Sequence, residues 1–95
     1  MNTKQKIHSI LTSVFSTRHL DVNDESALHH GHAESQRQGG GHFKISIVSN
    51  SFTGKTPLMR HRMIYDALER ELKGEIHALG IKAFTPEEWK QNRGN

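Results

Sequence analysis

Ninety-five residues make one small domain with a modest core and leave no room for a second. A net charge of +3, a sequence pI of about 9.5 and a mean hydropathy of −0.73 describe a mildly basic, soluble chain. The absence of cysteine excludes disulfides, a thiol nucleophile and thiolate ligands, while eight histidines offer nitrogen donors in quantity. The first predicted element is a helix from Thr3 to Phe15, where Ile7, Ile10, Leu11, Val14 and Phe15 line one face. Leu20 and Val22 alternate with Asp21 and Asn23, as in a short half-exposed strand. From about residue 27 to 41 the chain has almost no apolar content and ends in Gly39-Gly40-Gly41, which predicts a long flexible loop. His29, His30 and His32 all fall within it.

A second strand is expected over His42–Val48, with Phe43, Ile45 and Ile47 facing inward. Thr56-Pro57 then reads as an N-cap with proline at the first helical position. On this helix Leu58, His61, Ile64, Tyr65, Leu68 and Leu72 share one face, and Gly74 stops it. That position on the apolar stripe predicts a structural role for His61, hydrogen-bonded between helix and sheet. Arg60 and Arg62 fall about 100° to either side of it.

Ile76–Phe84 reads as a third strand, with His77, Leu79, Ile81 and Ala83 on one side. Thr85-Pro86-Glu87-Glu88 combines an N-cap, a helix-opening proline and a capping-box glutamate, so a short helix carrying Trp89 should follow, with a frayed tail over 91–95. The order is αββαβα, an α+β single domain over residues 1–95 with helices packed on one face of a three-stranded sheet.

Positive charge is spread along the chain, with five Lys/Arg against four Asp/Glu up to Ser51 and eight against six beyond it. The electrostatic footprint of a nucleic-acid binder is therefore weak. No apolar run approaches the roughly 18 residues of a membrane span, and Met1–Lys6 lacks a signal-peptide apolar core, so a cytoplasmic protein is expected. Ser49-Asn50-Ser51-Phe52-Thr53-Gly54-Lys55-Thr56 nearly fits a Walker A loop. Its first position is serine, however, and no later strand ends in a magnesium-binding aspartate. No catalytic set stands out, and an enzyme is not expected.

The second half of the chain carries Phe52-Thr53-Gly54, Arg60-His61-Arg62, His77-Ala78-Leu79 and Glu88-Trp89; Asp24-Glu25-Ser26 and His42-Phe43-Lys44 flank the loop. In this order and spacing, over about residues 3 to 90, the chain resembles the BolA family. The resemblance implies a type II KH-like fold around a three-stranded mixed sheet. It also implies partnership with a monothiol glutaredoxin, as a monomer alone or a heterodimer with that partner, and a [2Fe–2S] cluster shared with the glutaredoxin and glutathione. No cofactor is expected when the chain is alone. One iron would be held through the strand-start histidine, His77, and a loop ligand, for which His32 is the preferred match and His29 the second. His42 precedes a strand and is a weaker candidate.

Some family members are reported as DNA-binding transcriptional regulators, which makes DNA the alternative partner. Lys55, Arg60, Arg62 and Lys82 are the basic residues expected to form either a glutaredoxin docking face or phosphate contacts. The Gly-x-x-Gly phosphate clamp of nucleic-acid-binding KH domains is missing, which weakens binding by that route. The loop also ends in Gln36-Arg37-Gln38-Gly39-Gly40-Gly41, not the glycine-serine-glutamate stretch usual in the family.

Overall fold

The computed structural model describes residues 2–26 and 41–93; the loop histidines His29, His30 and His32 lie outside the described residues. Helix α1 (Thr3–Val14) opens on Asn2, whose side chain accepts from the Gln5 backbone N–H while Gln5 caps the Asn2 N–H in return. It buries Ile7, Leu11 and, just beyond its end, Phe15. Strands β1 (Thr17–Asp24) and β2 (Gly41–Ser49) pair antiparallel, and β3 (Ile76–Phe84) joins β2 in parallel. The sheet is therefore mixed, with order β1-β2-β3. Parallel neighbours need a crossover, which a 3-10 turn (Asn50–Phe52), helix α2 (Pro57–Ala67) and a single turn α3 (Glu69–Leu72) supply.

The core lies between this sheet and helices α1 and α2, where Val22, Phe43, Ile45 and Ile47 meet Ile7, Leu11, Ile64 and Leu68. Helix α4 (Pro86–Arg93) continues to Arg93, past the point where the tail is expected to fray. Its Trp89 ring lies 4.8 Å from His19 and 5.5 Å from Phe84. By strand alternation those residues sit on the sheet face opposite Leu20 and Ala83, so α4 places its aromatic ring on the far layer.

The buried stripe of α2 is rotated from the expected one. Arg60, Ile64 and Leu68 are buried with Met63 and Ala67 against them, whereas Leu58 is 61% and Tyr65 46% exposed and His61 faces solvent. The structural role expected of His61 is thereby corrected. The cause is Arg60, only 8% exposed, which has partners outside its own helix.

Candidate functional site

The register of β3 decides where its first histidine points. Gly41 faces Ile76, but the next residue of β2, His42, faces Ala78, so β3 holds one extra residue at this point. Such a bulge reverses the side-chain alternation on either side of it. Ile76 turns inward, 2% exposed, and His77 turns out to solvent instead of sharing the core side with Leu79, Ile81 and Ala83 as strict alternation predicts. Gly41 fits this crossing because a Cβ there would run into the Phe43 ring.

The bulge brings His77 beside His42, with ring centroids 5.4 Å apart and planes inclined by 37°. The backbone of His42 is held on both sides. Its N–H donates to Ser26 Oγ at 3.2 Å, and its carbonyl accepts from the Glu25 N–H at 2.7 Å. Asp24 Oδ1 accepts from the Ser26 N–H at 2.9 Å, and the Gly41 N–H donates to the Glu75 carbonyl at 2.9 Å. Ser26 and Gly41, between which the histidine-rich segment runs, are thus both anchored at the His42–His77 pair. Among the described residues no three His, Cys, Asp or Glu side chains come together to hold a metal ion. With no cysteine in the chain, this end can offer a metal imidazole nitrogen but no thiolate.

The four basic candidates separate. Arg62 and Lys82 are exposed and Lys55 is half-buried. Arg60 is withdrawn from the surface: its Nη1 and Nη2 donate to the Glu88 carboxylate at 2.6 and 3.1 Å, its Nε to the Lys55 carbonyl at 2.9 Å, and Nη1 also to the Ala83 carbonyl at 3.1 Å. A guanidinium so engaged holds α2, β3 and α4 together and is not available to a phosphate or an acidic partner. Glu88 also completes the expected capping box with Thr85, at 3.0 and 3.2 Å. The Arg60 hydrogen bonds first, and then the Thr85 N–H, hold its carboxyl below the usual glutamate range. The exposed His61 lines a shallow groove with Lys82, Phe84 and Trp89.

Sequence reasoning ranked His42 low because a residue at a strand start carries no mark of its tertiary neighbour. It missed the second role of Glu88 altogether. A glutamate already explained as a cap gives no sign that it also faces a buried arginine 28 residues away.

A mixed three-stranded sheet with two helices on one face and an aromatic-bearing helix on the other is the architecture of a BolA domain. The solved BolA domain of SufE1 from Arabidopsis thaliana superposes with a TM-score of 0.78 at 40% identity, covering 93% of this chain and 98% of that one. The sequence profile described as BolA-like protein matches residues 11–88, and the chain belongs to that family. BolA-like protein 1 of Mus musculus is 40% identical over 86 residues, which cover 90% of this chain and 60% of the mouse protein. The protein named DNA-binding transcriptional regulator BolA in Escherichia coli is 40% identical over 90 residues, covering 95% of this chain and 82% of that one. This chain thus spans about three fifths of the mouse relative's length.

Proposed function

We propose that this chain is the partner of a monothiol glutaredoxin in binding, trafficking or repair of iron–sulfur clusters, and that it contributes imidazole ligands to a shared [2Fe–2S] cluster. The observation that carries this reading is His77, turned out of the core by a bulge at the place where both ends of the histidine-rich segment are anchored. His32, or His29 in its place, is the second donor; His29 is three residues along the chain from Ser26. Two imidazoles on one iron of such a cluster have a precedent in Rieske centres, where histidines replace two cysteines. The cluster supplies the iron and sulfide to be passed on. The chain itself holds His77 at a fixed position and leaves the thiolates to glutaredoxin and glutathione. The complex is a heterodimer, and dependence on glutathione suits the cytoplasm.

The test mixes the chain with glutaredoxin, glutathione, iron and sulfide and records visible circular dichroism. His77→Ala should alter the cluster spectrum, and His32→Ala or His29→Ala should identify the loop donor. Superimposable spectra for wild type and His77→Ala would remove His77 as a ligand.

A second reading is DNA binding. Similarity to the DNA-binding transcriptional regulator BolA of E. coli favours it, as do the exposed Arg62 and Lys82 with Lys55 on the turn before α2. Arg60 no longer belongs to that face.

A further inference from the structure

We infer that His42 and His77 form a bidentate imidazole site that takes a single divalent first-row ion of the zinc, copper or nickel type without any partner protein. Imidazole nitrogen suits these ions. A zinc–nitrogen bond of about 2.0–2.1 Å puts each ring centroid about 3.2 Å from the ion, so two rings at a tetrahedral angle sit about 5.2 Å apart. The observed separation is 5.4 Å. The exposed His77 ring can turn about χ2, a broad torsion, to aim a nitrogen at the shared point.

The pair is also preorganised, which is what separates a chelate from two histidines that happen to pass. Hydrogen bonds to Glu25 and Ser26 hold the His42 backbone from the β1 side, and the β3 bulge holds His77 from the other. Neither imidazole must be drawn out of the core to bind. Two protein nitrogens leave the remaining coordination positions to water, so the site exchanges its ion readily and differs from a closed structural zinc centre. It needs neither glutaredoxin nor the loop histidines, and it shares only His77 with the cluster reading.

The experiment uses the full chain with His29, His30 and His32 all replaced by alanine, titrated with Zn2+ in an isothermal calorimeter. One equivalent should bind, and adding either His42→Ala or His77→Ala should weaken binding at least tenfold. In parallel, the imidazole resonances of His42 and His77 should shift together on Zn2+ addition to the wild-type chain, a readout that does not depend on any variant folding. Failure of the loop-substituted chain to take up Zn2+, an affinity unchanged by His42→Ala, or resonances of the pair that stay still would each overturn the site. Zinc uptake with an unchanged cluster spectrum in His77→Ala would remove the cluster reading and keep this one. The reverse pattern would do the opposite.

Discussion

Removing the guanidinium of Arg60 would strand two backbone carbonyls and a carboxylate at once. Deleting one member of a fully buried pair costs about 3–5 kcal/mol. The Glu88 side chain keeps 44% of its surface in water, so Arg60→Ala should lower unfolding free energy in urea by a smaller amount, about 2 kcal/mol. The pH dependence follows from Glu88. Its carboxyl is held below the ordinary value of 4.5 in the folded chain, so the stabilisation is fully present above that value and is lost as pH falls through the lower folded value. Glu88→Gln should therefore be less stable than wild type at neutral pH, and the gap should close as the urea midpoint is followed into acid below pH 4.5. A gap that widens in acid would contradict the assignment. None of this could be read from hydropathy: an arginine on a helix reads as surface, and its carboxylate lies three elements further along the chain.

Secondary-structure elements were largely legible because local chemistry dictates their ends. Thr56-Pro57 caps α2, with the Thr56 hydroxyl accepting from the Met59 N–H at 3.2 Å, and Thr85 and Glu88 close the box on α4. The inward set of β2, Phe43, Ile45 and Ile47, also follows from alternation. The direction of His77 did not, because a bulge is a property of two paired strands and neither one announces it. The core side here belongs to Ile76, so Ile76→Ala should cost about 2–4 kcal/mol in chemical denaturation. His77→Ala should stay within about 0.5 kcal/mol of wild type. Equal losses would mean the strand runs without its extra residue. Gly41→Ala should destabilise by about 1–3 kcal/mol, since its methyl group meets the buried Phe43 ring.

Seen whole, the molecule carries only modest positive charge, and binding to DNA would have to come from a local face and not from net attraction. If that face exists, Lys55, Arg62 and Lys82 replaced together by alanine should flatten the dependence of affinity on salt, by about one unit of slope for each phosphate those side chains neutralise. An unchanged slope in filter or anisotropy titrations excludes it. The α+β architecture was readable from element order and the mixed sheet from the family resemblance, but the second layer was not, because one tryptophan on a short helix leaves no periodic trace. That layer has a bearing on how the chain can be cut. Arg60 sits with the packed helices, while the helix bearing its partner Glu88 sets Trp89 against the opposite side of the sheet. Helix α4 therefore works as a buckle wrapped around the strand end. A protease nick after Phe84 would open both sides together, leaving the Arg60 cation without its counter-charge and the His19 and Phe84 rings without Trp89, so this helix is no dispensable appendage.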